Sequence, residues 1–212
     1  MPNLIHQNGS YTGAIVLDPD VGFHKDAVAC EDFKSLYPSI MMSNNLSYET
    51  YVSYDLWDQI VNECQLLETD DWVGAPGTVF KTYKYKEFII KEFKLFDDPV
   101  YYRFVQNTNG LLPRILTGLM DARKKAKKQK SSAKDPFMKA VYDGKQLAIK
   151  VSCNSVYGFT ASLMIPNVDI AACVTGIGRS CILETKYLME KHYSCKVIYG
   201  DTDSNYVSFW AP

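Results

Sequence analysis

Cys195-Lys196-Val197-Ile198-Tyr199-Gly200-Asp201-Thr202-Asp203-Ser204-Asn205-Tyr206-Val207-Ser208-Phe209 places two carboxylates, one residue apart, between two β-prone runs. The alternation on either side predicts strands at Cys195–Tyr199 and Asn205–Phe209, joined by a hairpin turn for which Gly200 supplies backbone freedom. Rigid arms would fix where Asp201 and Asp203 point, and such a pair can hold a hard divalent cation beside a phosphate. Taken alone, Asp-x-Asp in a turn is more often a solvated loop. Its meaning depends on what the rest of the chain brings to it.

Working outward, the nearest acidic counterpart lies far upstream. Ala27-Val28-Ala29-Cys30-Glu31-Asp32-Phe33 reads as a short strand ending on Asp32, which would join Asp201 and Asp203 if the two strands neighbour each other in one sheet. Three carboxylates at adjoining strand ends could hold two Mg²⁺ ions roughly 3.5–4 Å apart. A strand-end cap explains Asp32 equally well. Directly after it, Ser35-Leu36-Tyr37-Pro38 reads as a turn opening a helix, with Pro38 near the first turn and backbone amides of Ser35 and Leu36 free to meet phosphate oxygens. Tyr37 would lie under a sugar, where a bulky ring excludes a 2′-hydroxyl by shape; a core tyrosine with its hydroxyl at the edge is the competing reading.

Between these ends, Leu112, Ile115, Leu116, Leu119 and Ala126 recur near 3.6-residue spacing and predict a helix from Leu111 to about Lys130. Ser131–Pro136 breaks the pattern, a second helix follows over Phe137–Val156 with Gly158 as its stop, and the two form an antiparallel hairpin. A third helix is predicted over Ala171–His192. On the second helix Gln146, Lys150, Asn154 and Tyr157 share one face, and Arg123 and Lys127, four apart, lie on the first. Solvated helix faces would account for both sets. If the hairpin closes with these faces inward, Arg123, Lys127 and Lys150 surround one pocket able to neutralise a polyphosphate, while Asn154 lies nearby and Tyr157 packs against a base. Residues 51–98 mix aromatics, acids and turn formers such as Gly74 and Pro76 without a clean period.

Composition narrows the classes. With 212 residues, 47% hydrophobic, the chain can bury a core, and a net charge of −1 means that any nucleic-acid contact must come from local clusters such as Arg123–Lys130. Six scattered cysteines without a CxxC pair read as reduced thiols, not a zinc site or a disulfide framework. No apolar run reaches the roughly 20 residues of a membrane span, and Met1-Pro2-Asn3-Leu4 shows no signal-peptide pattern.

Three blocks in order, Asp32-Phe33-Lys34-Ser35-Leu36-Tyr37-Pro38-Ser39-Ile40, Lys150-Val151-Ser152-Cys153-Asn154-Ser155-Val156-Tyr157-Gly158 and Tyr199-Gly200-Asp201-Thr202-Asp203-Ser204, resemble motifs A, B and C of the B-family DNA polymerases. Gly110–Leu116 with Arg123-Lys124, and Asp143–Ala148, resemble that family's fingers helices. Val16-Leu17-Asp18-Pro19 with Gly22 resembles the approach to motif A. In style the match is nearest to delta-type enzymes and to replicative polymerases of large double-stranded DNA viruses.

The resemblance implies an α+β fold: an antiparallel-sheet palm (1–108 and 159–212) interrupted by an antiparallel helical-hairpin fingers domain (109–158). It implies Asp32 and Asp203 as principal ligands of two Mg²⁺ ions, with Asp201 and the Phe33 carbonyl beside them. Arg123, Lys127 and Lys150 would hold the incoming triphosphate with Asn154 nearby; Ser35 and Leu36 would offer amides. Tyr37 would gate the sugar, and Tyr157 with Gly158 would border the nascent base pair. The implied reaction is DNA-directed DNA synthesis, attack of a primer 3′-hydroxyl on a deoxynucleoside triphosphate. Implied partners are template–primer DNA, deoxynucleoside triphosphates, and a sliding clamp with accessory subunits. The implied setting is intracellular, in a nucleus or viral replication compartment, with no membrane partner.

Two departures stand out. The exonuclease region and the thumb of the family are not matched, so the chain reads as a fragment expected to extend primers poorly by itself, and Ala161 stands where delta-type relatives usually carry glycine. A nucleic-acid-binding remnant without catalysis is one alternative. An Asp-x-Asp glycosyltransferase is another, but it would need a parallel nucleotide-binding sheet with a Gly-rich turn, which the chain does not offer.

Overall fold

The structure is a computed structural model and describes residues 11–70, 77–162 and 167–210. Gly74, Pro76 and the opening Met1–Leu4 lie outside the described residues. In chain order the elements are β1 (Val16–Leu17), β2 (Ala27–Asp32), α1 (Leu36–Ser43), α2 (Tyr54–Ile60), β3 (Gln65–Asp70), β4 (Val79–Tyr85), β5 (Phe88–Lys94) and β6 (Tyr101–Val105). There follow α3 (Leu111–Ser132), α4 (Pro136–Thr160), α5 (Val168–His192), β7 (Cys195–Asp201) and β8 (Ser204–Phe209). Mixed helix and antiparallel sheet is thus the observed class.

The strands form two four-stranded sheets, ordered β1-β7-β8-β2 and β3-β4-β5-β6. Every strand pairing among the described residues is antiparallel, which leaves no parallel sheet for the glycosyltransferase reading. The second sheet occupies the stretch where the sequence shows no clean period. Its β4–β5 hairpin turns through Lys86 and Glu87, with Lys86 at φ 53°, a conformation that glycine or asparagine would have signalled. Phe93, Tyr102 and Phe104 from this sheet are fully buried and pack with α1, α3 and α5 into the main core. Glu92 and Arg103 face each other across β5 and β6 in a buried ion pair of 2.6 Å, and the Arg103 guanidinium lies 4.4 Å from the Trp57 ring centroid.

α3 and α4 make the expected antiparallel hairpin. Asp135 caps α4 by accepting from the Phe137 amide at 3.2 Å, Pro136 occupies the first turn, and Lys130 pairs with Asp143 across the two helices at 2.7 Å. Gly158 does not stop α4. The helix runs on through it to Thr160, because one interior glycine costs only about 1 kcal/mol and the helix ends on Ala161 without needing a left-handed cap. α5 begins at Val168, earlier than its apolar period predicts, with the Asn167 side chain accepting from the Ile170 amide at 3.0 Å.

α5 buries nearly all of its first half, Ile170 to Ser180. Gly176 is required there: a Cβ would run into the buried Leu95 side chain, with Leu95 Cγ only 2.9 Å away. All six cysteines are free; Cys153, Cys173 and Cys195 are buried and Cys30 is exposed. Among the described residues no helix is long and apolar enough to cross a membrane.

Candidate active site

β8 runs between β7 and β2, and its first residue, Ser204, stands opposite Asp201 on one side and Asp32 on the other. Residues paired directly across antiparallel strands project to the same face, so Asp32, Ser204 and Asp201 line up along one edge of that face. The turn itself is Thr202-Asp203, and Thr202, not Gly200, takes the uncommon backbone conformation, at φ 54°. Thr202 is held there by its amide on the Ile15 carbonyl (3.0 Å) and its hydroxyl on Asp201 Oδ1 (2.9 Å). Gly200 lies inside β7 and is needed for another reason: a Cβ would meet Leu17 Cδ1 at 2.8 Å and Asn205 Oδ1 at 2.9 Å. The Asp203 carbonyl accepts from the Phe33 amide at 2.7 Å, which ties the turn to the end of β2.

These elements form one wall of a cleft of about 440 Å³. Asp32, Asp203 and Thr202 line that wall; Ser35, Leu36, Tyr37 and Pro38 line the start of α1; Arg123, Lys127, Lys150, Asn154 and Tyr157 come from the hairpin. Lys34 also lines the cleft, a cation that helical periodicity could not reveal because it lies between strand and helix. Three residues predicted for the site do not line it. Asp201 is turned toward the Thr202 hydroxyl, Phe33 packs against the core, and Gly158 is exposed on α4. Among the described residues no three His, Cys, Asp or Glu side chains are gathered closely enough to hold a metal ion, so the three carboxylates do not form one cluster. With Asp201 and Asp32 both opposite Ser204, β8 stands between them.

Ser35, the N-cap of α1, sits in the left-handed region at φ 55°. Holding a non-glycine residue there costs energy that the surroundings must supply, and the Ser35 hydroxyl accepts from Arg123 Nη1 at 3.1 Å. Gln146 does not reach the cleft; it donates to Asp143 Oδ1 at 3.0 Å and meets Arg123 Nε at 3.5 Å, holding the guanidinium against Ser35. The Tyr37 and Tyr157 rings lie 4.7 Å apart at a 53° tilt, and Tyr157 shares a 3.0 Å hydroxyl hydrogen bond with Tyr11.

The electrostatics are two-sided. Burial, then the charge of Asp32, pushes the Asp203 carboxyl above its ordinary range, with Lys150 opposing. The Arg123 charge holds the Lys127 ammonium below its ordinary range, followed by burial and then by Lys34 and Lys150. Crowded cations facing crowded carboxylates are suited to a ligand that is itself polyanionic and carries a divalent cation. The donors fit such an ion: carboxylates are the oxygen ligands Mg²⁺ prefers, and the repulsion between Asp32 and Asp203 is the excess negative charge a cation would neutralise.

The chain matches the DNA polymerase family B profile over residues 1–211. It is 39% identical over 209 residues to a DNA polymerase delta catalytic subunit of Dictyostelium discoideum, covering 94% of this chain and 16% of that protein. It is 40% identical over 217 residues to the delta catalytic subunit of Bos taurus, covering 96% and 17%. A family B DNA polymerase structure from the archaeon Pyrobaculum calidifontis superposes with a TM-score of 0.62 at 27% identity, covering 95% of this chain and 22% of that one. The chain thus spans about a sixth of the length of the curated relatives it matches.

Proposed function

Since this chain belongs to DNA polymerase family B, we propose that its cleft is a nucleotidyl-transfer site for DNA-directed DNA synthesis. The observation that carries the reading is the joint lining of one cleft by Asp32 and Asp203 on the sheet and by Lys34, Arg123, Lys127 and Lys150 around it. In this reading the two sheets with α5 are the palm (1–108 and 159–212) and the α3–α4 hairpin is the fingers (109–158).

Asp32 and Asp203, which line the cleft, would hold two Mg²⁺ ions, which when bound activate an attacking hydroxyl and stabilise the leaving oxygen; Asp201 and the Phe33 carbonyl, outside the cleft lining in the free protein, would join them only on turning toward it. The chain's own groups do the rest. Arg123, Lys127 and Lys150 neutralise the triphosphate from the hairpin side, and the compact ammonium of Lys127, crowded by Arg123 in the free protein, gains a partner when the phosphates arrive. The Ser35 and Leu36 amides meet phosphate oxygens at the start of α1, and Asn154 closes the same side. Tyr37 stands where the sugar lies, Tyr157 with Gly158 borders the new base pair, and primer–template DNA supplies the 3′-hydroxyl. Deoxynucleoside triphosphates are the proposed substrates; a sliding clamp and accessory subunits are further proposed partners, in a nuclear or viral replication setting.

Single-nucleotide incorporation on a primer–template in Mg²⁺ tests the reading, using this chain and a version extended to the length of its relatives. Asp203→Asn in the active version is expected to lower incorporation by about 10³-fold or more while duplex binding persists, since binding rests largely on phosphate contacts. Near-parental incorporation would remove Asp203 from the site. The short chain is expected to extend primers poorly; robust processive synthesis by it would refute the need for further duplex contacts.

A further inference from the structure

Arg179 is 4% exposed, lies on the buried half of α5, and does not line the cleft. Four of its five N–H donors are nonetheless engaged. Nε and Nη2 donate to the two carboxylate oxygens of Asp97, each at 2.8 Å, and Nη1 donates to the carbonyls of Thr12 (2.7 Å) and Gly13 (2.6 Å). One turn earlier, the Thr175 hydroxyl donates to the same Thr12 carbonyl at 2.8 Å. Residues 11–13 belong to no strand or helix, so these side-chain bonds from α5 take the place of a ladder in fixing their backbone.

That segment leads to the cleft. Tyr11 shares its hydroxyl hydrogen bond with Tyr157, and Tyr157 packs on Tyr37. The other end of the same relay touches α5 directly: a Cβ on Gly178, the neighbour of Arg179, would lie 3.0 Å from Tyr37 Cε1. One turn of α5 therefore indexes both ends, Tyr37 through close backbone approach and Tyr11 through the guanidinium. Arg179 is buried while Asp97 reaches the surface, so the pair is a modest source of stability compared with apolar packing, whereas its fixed fork geometry is a good ruler.

We propose that Arg179, held by Asp97, is a positioning residue that sets the place of the Tyr11–Tyr157–Tyr37 relay and so the discrimination between deoxyribose and ribose. The inference rests on the reading of Tyr37 as the residue under the sugar. A ring that excludes one hydroxyl by shape works only while its edge is held to within a fraction of an ångström, and its own packing on Tyr157 is the contact Arg179 reaches.

The experiment measures kcat/KM for a deoxynucleotide against the matching ribonucleotide on a primer–template, in whichever length of the polypeptide incorporates, for Arg179→Lys, Tyr11→Phe, their double variant and Tyr37→Ala. Arg179→Lys keeps the charge and loses the fork; Tyr11→Phe removes a single oxygen and serves if Arg179→Lys does not fold. Arg179→Lys and Tyr11→Phe are each expected to lower discrimination by about 10-fold, with deoxynucleotide kcat within about threefold of parent, and their double variant is expected to be no worse than the worse single one, since both cut the same relay. Discrimination within about twofold of parent in Tyr11→Phe and Arg179→Lys, while Tyr37→Ala lowers it, overturns the positioning role and leaves the sugar reading standing. Additive losses in the double variant overturn the shared relay. Unchanged discrimination in Tyr37→Ala overturns the sugar reading and the positioning role with it.

Discussion

Gly200→Ala would add one methyl group where β7 passes closest to its neighbours. The new Cβ would sit 2.8 Å from Leu17 Cδ1, 3.1 Å from Leu17 Cγ and 2.9 Å from Asn205 Oδ1, all shorter than a relaxed carbon contact. Gly200 is not among the positive-φ cases, so alanine meets no backbone penalty and even gains about 0.4–1 kcal/mol by restricting the unfolded chain. Overpacking of this kind costs about 1–3 kcal/mol, which wins. Three short contacts put the cost in the upper half of that range, so the net loss is about 1–2.6 kcal/mol, read by urea or thermal unfolding as a fall of roughly 2–10 °C in Tm for a chain of this size.

The functional loss should exceed the stability loss. Relief of the clash pushes β7 away from β1 and β8, and the next residue is Asp201 and the turn that carries Asp203. A displacement near 1 Å at such a position costs about 10²-fold in rate, measured by single-nucleotide incorporation in a version that is active. Leu17→Ala removes two of the three close contacts, so the double variant should regain more than half of the lost stability relative to Gly200→Ala. A Gly200→Ala protein within about 0.5 kcal/mol of parent, with parental incorporation, would refute the close-approach argument.

Arg103→Ala should cost about 3–5 kcal/mol by denaturant unfolding, because it strands the buried Glu92 carboxylate and strips the Trp57 ring of its cation. Arg103→Ala/Glu92→Ala should recover part of that loss. Lys127→Ala should raise KM for the deoxynucleoside triphosphate by about 10-fold with a smaller change in kcat, as loss of one phosphate-facing charge predicts in steady-state kinetics. Burial raises the Cys181 thiol to about 11 from an ordinary 9.0, so the folded state holds that proton more tightly than the unfolded one. The stability this supplies is intact below pH 9 and lost as pH climbs toward 11; Cys181→Ala should flatten the alkaline limb of the stability–pH curve, and alkylation of Cys181 in the parent should stay slow at pH 8.

What could be read in advance was what short-range pattern encodes. The β7–β8 hairpin and the α3–α4 pair connect neighbours in sequence, and their alternation and 3.6-residue spacing are visible without a partner. The β3–β6 sheet escaped notice because its hairpin turns on Lys86 at φ 53°, and because Lys91, polar in the sequence, is half-buried over the Phe80 ring at 4.1 Å. Both glycine readings failed for one reason: sequence suggests backbone freedom, whereas Gly200 is set by the approach of Leu17 and Asn205, and Gly158 is simply tolerated within a helix. The cleft-lining trio of Arg123, Lys127 and Lys150 was legible as helix faces, but Lys34, Arg179 and Tyr11 are placed only by contacts between distant segments. No local pattern records those.

The position of β8 has a consequence for how the molecule comes to exist. It is the last strand in chain order among the described residues, yet it lies between β7 and β2, and its pairing with β2 joins residues separated by most of the chain. The β3–β6 meander and the α3–α4 hairpin close over short loops and can form early, whereas the wall carrying Asp32 and Asp203 can be completed only by a late, long-range closure. Until then β2 has no partner on either side, and its unpaired backbone is a template for another chain. Conditions that slow insertion of β8 should therefore show first as self-association through β2 and only second as loss of secondary structure.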